Sequence, residues 1–84
     1  LGLLYISDYV KHEVRRYAPG DMEGTVVAGG HGAGGAWHQL DFPTHLFVDQ
    51  RLSLYVADTD NNRVMEWKKD ATNGRVVAGG HGSG

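Results

Sequence analysis

The chain has 84 residues, 40% of them hydrophobic, with thirteen glycines, two prolines and no cysteine, which excludes disulfides and thiolate metal sites and predicts many tight turns around a small core. Ten acidic and eight basic residues give a formal net charge of −2, so no positive field draws the chain toward nucleic acid. No apolar run approaches the roughly 20 residues that cross a bilayer, and the start Leu1-Gly2-Leu3-Leu4 has neither the basic region nor the cleavage site of a signal peptide.

Read in chain order, Leu4-Tyr5-Ile6-Ser7-Asp8 comes first, Val14 and Tyr17 follow, and after Gly24 comes Thr25-Val26-Val27-Ala28-Gly29-Gly30-His31-Gly32-Ala33-Gly34. Each returns 50 residues later: Leu54-Tyr55-Val56-Ala57-Asp58, Val64, Trp67, Gly74, and Arg75-Val76-Val77-Ala78-Gly79-Gly80-His81-Gly82-Ser83-Gly84. A period of this size belongs to helical repeats or to propeller units, and the content of one period decides between them. The complete unit contains four short runs rich in β-branched and aromatic residues, Thr44–Asp49, Leu54–Asp58, Arg63–Trp67 and Arg75–Ala78, joined by polar connections of hairpin length. No apolar stripe of helical spacing occurs.

The spacing therefore predicts an all-β chain of four-stranded antiparallel meanders, as in the blades of a β-propeller. Residues 1–34 form a partial blade of three strands. Residues 35–84 form an inter-blade connection and one complete blade. Alternation puts Leu54 and Val56 on one face and Tyr55 and Ala57 on the other, so both faces need cover. Seven strands cannot close a ring, and Leu1 in place of Met predicts an internal piece of a longer chain. The ring is expected to be completed by the rest of a parent chain or by self-association.

The second unit, Leu54-Tyr55-Val56-Ala57-Asp58-Thr59-Asp60-Asn61-Asn62-Arg63-Val64, closely resembles the NHL repeat, whose pattern runs hydrophobic-Tyr-Val-Ala/Ser-Asp, two variable residues, then Asn-His-Arg-Val. Gln39-Leu40-Asp41-Phe42-Pro43-Thr44-His45-Leu46-Phe47-Val48-Asp49 is similar to the start of a further blade of that family, and the resemblance spans essentially the whole chain. It departs where Asn62 replaces the family's His, where Lys11-His12-Glu13 replaces Asn-His-Arg, and where His45 and Leu52 stand at common turn-glycine positions. The resemblance implies a propeller of about six blades and a non-catalytic protein-interaction or scaffold module, such as the substrate-recognition part of a ubiquitin ligase. RNA binding by a propeller face is the alternative, and a metal-dependent peptidyl-hydroxyglycine lyase-like enzyme is the more remote one.

Motifs that imitate chemistry are weaker. Gly30-His31-Gly32-Ala33-Gly34-Gly35 fits G-x-G-x-x-G, but no helix follows to hold a pyrophosphate. The recurring Gly29-Gly30 and Gly79-Gly80 read as structural turns. His31, His38 and His45 offer no third ligand at a recurring spacing, so no metal or cofactor is expected. Asp8 and Asp58 hold equivalent positions. Asp58, with Asn61 and Arg63 close behind it, is expected to accept backbone or arginine hydrogen bonds across the hairpin rather than to act as a catalyst. Glu13 stands in the arginine's place in the first unit, so the pair cannot form there. Tyr9, Lys11, Arg15 and Arg16, with Tyr17, make a small basic-aromatic cluster, read first as a solvated strand face and otherwise as a weak candidate surface for RNA or an acidic peptide.

Overall fold

The structure, a computed structural model, describes residues 2–80. The second occurrence of the glycine-rich turn, from His81 to Gly84, lies outside the described residues. The fold is all-β. Strands β1 (Leu4–Asp8), β2 (Glu13–Tyr17) and β3 (Thr25–Gly29) form one antiparallel sheet in sequential order. Strands β4 (Pro43–Val48), β5 (Leu54–Asp58), β6 (Arg63–Trp67) and β7 (Arg75–Gly79) form a second, with a single 3-10 turn at Thr59–Asn61. The strands fall where the repeat places them, except that β4 is shifted one residue toward the start, to Pro43–Val48, and β7 runs one residue further, to Gly79. At Pro43 the missing N–H costs nothing, because β4 is an edge strand. Among the described residues no helix is long and apolar enough to cross a membrane.

The repeat extends to the irregularities. The last strand of each sheet, β3 or β7, carries a bulge at the same place, opposite Val14/Arg15 in the first sheet and Val64/Met65 in the second. Both β-turns joining the last two strands are closed by an amide-to-carbonyl bond, Asp21 to Ala18 at 3.0 Å and Ala71 to Lys68 at 2.9 Å. The first has Pro19-Gly20 at its centre, with Gly20 at φ +88°, the residues a type II turn prefers. The second has Lys69-Asp70, and Asp70 takes the left-handed φ of 63° without glycine's freedom. Gly24 and Gly74 stay small for a different reason. A Cβ at either would meet the ring of Tyr17 or Trp67 at about van der Waals overlap, so each glycine lies flat against the aromatic residue of the neighbouring strand.

The core lies between the two sheets. Val14 and Ala28 from the first sheet join Leu54, Val56, Met65 and Trp67 from the second, and Leu40 from the connection completes the cluster. The two sheets therefore meet through non-equivalent faces. The first offers the face carrying Tyr5, Ser7, Val14 and Ala28, and the second offers the opposite one, carrying Leu54, Val56, Met65 and Trp67. Positions equivalent in sequence differ accordingly in exposure: Leu54 is 2% exposed but Leu4 58%, and Val56 is 0% exposed but Ile6 46%. The expectation of two apolar faces per sheet holds for the residue types, while each sheet has cover on one face within this chain.

The turn glycine Gly29 is the tightest point of the first sheet. Its φ is +69°, and a Cβ there would lie far inside contact distance of the His12 carbonyl oxygen. Gly29→Ala is expected to lower stability by at least ~3 kcal/mol, whereas Gly20→Ala, with positive φ but open space around it, should cost only ~1 kcal/mol. Urea unfolding of the two variants measures the difference.

Candidate functional site

The most highly organised polar site lies where the connection crosses the second sheet. Asp58 ends β5 and is fully buried; Arg63 opens β6, its register partner, and is also buried. Nε of Arg63 donates to Oδ2 of Asp58 at 2.7 Å, and the Nδ2 group of Asn61 donates to the same oxygen at 2.9 Å. The other carboxylate oxygen, Oδ1, accepts the Asp41 amide at 2.6 Å. With both oxygens occupied, Asp58 has no lone pair directed at a cavity.

Arg63 and Asn61 then reach into the connection. Nη1 of Arg63 donates to the Gly35 carbonyl at 2.9 Å, Nη2 to the carbonyls of Ala36 and Gln39 at 3.0 and 3.1 Å, and Asn61 Nδ2 to that of Gly34 at 2.8 Å. A glycine-rich segment with no strand of its own thereby has its carbonyls satisfied in place. Among the described residues no buried side-chain nitrogen or oxygen lacks a partner. These interactions fix the connection against the second sheet.

The equivalent positions of the first sheet behave differently. Asp8 is half-buried, and its Oδ1 accepts the amides of Val10 and Lys11, both at 3.0 Å, within its own turn. The Lys11 amide is the largest cause that holds its carboxyl below the ordinary value. Glu13 pairs with Arg15 instead, and Arg15 also donates to the Glu23 carbonyl at 2.7 Å. His12 and Asn62 both take the left-handed conformation, and their carbonyls accept the Gly30 and Gly80 amides at 3.0 and 2.9 Å. Nδ1 of His12 accepts the Phe42 amide at 2.9 Å, a second tie between the first hairpin and the connection.

The basic-aromatic cluster is divided by the fold. Tyr9 and Lys11 sit in the β1–β2 turn, where Tyr9 packs on Phe42 with ring centroids 5.0 Å apart. Along β2, alternation sends Arg15 and Arg16 to opposite faces. Arg16 enters a cleft between the two sheets, with a volume of about 450 Å³, that also contains Lys68 and Lys69. Sequence reasoning missed this cleft because its walls come from different units, one from residues 5–31 and the other from residues 52–72. His31 and His38 pack edge to face at 4.9 Å, and among the described residues no group of three or more His, Asp or Glu is placed to hold an ion.

On the outer face of the second sheet, Glu66 is buried to 6% exposure between two donors, Tyr55 Oη at 2.9 Å and Arg75 Nε. The Arg75 guanidinium first, and the Tyr55 hydroxyl second, hold the Glu66 carboxyl below its ordinary value of 4.5, and the same contact pushes the Tyr55 hydroxyl up. A carboxyl whose pKa is depressed by folding adds stability that is complete above its unfolded value and is lost as the pH falls through the folded one. The stability difference between the wild type and Glu66→Gln should therefore be constant above pH 4.5 and shrink below it, as followed by thermal unfolding across acid pH.

Asp58→Ala leaves a buried guanidinium without its counter-ion and should cost about 3–5 kcal/mol. Arg63→Lys keeps the charge but loses the planar reach to three carbonyls, and should cost about 1–3 kcal/mol with faster amide hydrogen exchange in residues 34–41. Chemical denaturation and exchange mass spectrometry check both. No protein-family model and no curated protein matches the sequence.

Proposed function

We propose that the chain is a segment of a β-propeller of the NHL type and acts as a non-catalytic protein-interaction module. In this reading the two sheets are neighbouring blades, the first with three strands and the second with four. The observation that carries it is the pairing of non-equivalent faces. The face carrying Tyr5, Ser7, Val14 and Ala28 stacks on the opposite face of the next unit, so an identical step is available at each end of the array. Val64 is only half-buried where its equivalent Val14 is fully buried, and Leu4 and Ile6 are exposed where Leu54 and Val56 are buried. Heterologous, head-to-tail stacking of this kind closes into a ring when the rotation per step allows it, and stacking is where repeat units gain most of their stability.

A binding role agrees with how the buried charges are used. Asp58, Asn61 and Arg63 are spent on fixing the connection, while Tyr9, Met22 and Trp37 are exposed on turns and connections. Surface loops held by a rigid scaffold are the usual place for partner contacts. A role as the substrate-recognition part of a larger protein, such as a ubiquitin ligase, follows from the resemblance.

Uncovered stacking faces make a direct test. The polypeptide is expected to form concentration-dependent oligomers in multi-angle light scattering, with a strand-type circular dichroism spectrum. Val64→Asp, on the outer face of the second sheet, should shift the distribution toward monomer. A folded, monodisperse monomer at every accessible concentration would remove the support for stacking.

A further inference from the structure

We propose that the cleft between the two sheets is a binding groove for an extended acidic peptide segment of a partner protein. The inference rests on the binding-module reading and names the chemistry of the partner. The groove lies wholly between the described sheets, so its walls are complete whatever covers their outer faces.

The first observation is charge. The described residues include eight Lys and Arg side chains, of which Arg15, Arg63 and Arg75 are in ion pairs with carboxylates. Of the five that are not, three, Arg16, Lys68 and Lys69, line this cleft, against the single carboxylate of Asp70. Lys68 and Lys69 stand on the ridge between this cleft and the outer hollow that holds Asp49 and Glu66, and Arg16 belongs to the cleft alone. Its wall on the first sheet is the unbroken run Thr25 to His31. Successive side chains of a strand point to opposite faces, so a wall made of consecutive residues presents backbone as well as side chains. Val27, Leu54 and Trp67 supply apolar surface. A groove that follows one strand, with an apolar floor and a cationic rim, matches an extended chain with alternating acidic and apolar side chains.

The second observation comes from comparing the two units position by position. In the second unit the cross-strand row Tyr55, Glu66, Arg75 is neutralised internally. The same row in the first unit reads Tyr5, Arg16, Thr25, and it is this row, with one uncompensated cation, that faces the groove. Across the groove, the turn that is Ala18-Pro19-Gly20-Asp21 in the first unit is Lys68-Lys69-Asp70-Ala71 in the second. The second turn forgoes the favoured Pro-Gly pair and holds Asp70 in a left-handed conformation. At both walls the unit facing the groove departs from the arrangement that suits the fold, and both departures leave positive charge in it. Beyond the turn, Gly74 packs flat on the Trp67 ring, and its amide donates to the Trp37 carbonyl at 2.8 Å.

Each departure can be reversed with residues that the other unit already accommodates. Arg16→Glu with Thr25→Arg installs the neutralised row. Lys68→Ala, Lys69→Pro and Asp70→Gly together install the Pro-Gly turn, which should also raise the unfolding temperature. The 84-residue chain is titrated, by fluorescence anisotropy at low salt, with a labelled peptide of alternating Glu and Val, a Lys/Val peptide of the same length, and a short oligouridylate. The acidic peptide should bind in a salt-dependent manner, and each groove variant should weaken it about tenfold or more. Lys11→Glu, a cation outside the groove, should leave the affinity unchanged. Binding of the Lys/Val peptide as tight as that of the acidic one, tighter binding of the oligouridylate, or undiminished affinity in both folded groove variants would overturn the proposal. Light scattering reports separately on stacking, so failure of the groove and failure of the propeller reading give different results.

Discussion

The buried ion pair of Asp58 and Arg63 determines the position of everything that lies between the two sheets. Taking both charges out of water is costly, and an ion pair of this kind is weak evidence of net stability. Its effect here is geometric. Once paired, the guanidinium has further N–H groups that must be satisfied, and the nearest acceptors are the carbonyls of Gly35, Ala36 and Gln39. The carboxylate, with its second oxygen, fixes the Asp41 amide. The residue between Gln39 and Asp41 is Leu40, fully buried in the apolar cluster between the sheets. Full burial of a leucine contributes about 1.5–3 kcal/mol, but only if its backbone is held where the side chain can enter. The polar contacts provide that placement, and the apolar cluster provides the free energy.

The first unit shows what the same framework does without this pair. Glu13 replaces the arginine, and Asp8 turns to the amides of its own hairpin. That hairpin is closed locally, and its link to the connection is the longer-range bond from the Phe42 amide to His12. Two units with matching strands, bulges and left-handed turn residues therefore differ in how they use charge. The second commits its arginines at positions 63 and 75 to buried carboxylates. The first commits Arg15 alone and leaves Arg16 directed into the cleft.

The strands were legible because the 50-residue period doubles every signal. A five-residue apolar run is ambiguous alone, and its recurrence in the same order among the same turns removes the ambiguity. The proximity of Asp58 and Arg63 was legible too, since they flank one short hairpin. What could not be read is where Arg63 reaches beyond Asp58: its carbonyl partners lie 24 to 28 residues upstream, in a segment with no periodicity. The joint reading of Arg15 and Arg16 had a correction available in strand alternation, which separates adjacent residues onto opposite faces. The cleft had a fainter signal. Comparing position 16 with 66, and 68–70 with 18–20, reveals charges that the repeat itself does not require.

That comparison separates what the fold needs from what it merely carries. Where both units keep the same residue type, as at Gly29 and Gly79 or Val14 and Val64, the structure supplies a steric or packing reason in at least one of them. Where they differ without such a reason, the difference is free to serve another purpose. Pro19-Gly20 against Lys69-Asp70 is the clearest case, because the two turns have the same closing bond and the second has the less favourable residues for it. A left-handed aspartate in place of glycine costs about 1 kcal/mol, while Ala71, in the place of the exposed Asp21, packs against the core. The side chains that result stand at the rim of a groove whose opposite wall carries Arg16 where the second unit has Glu66, so both differences between the units add positive charge at the same place.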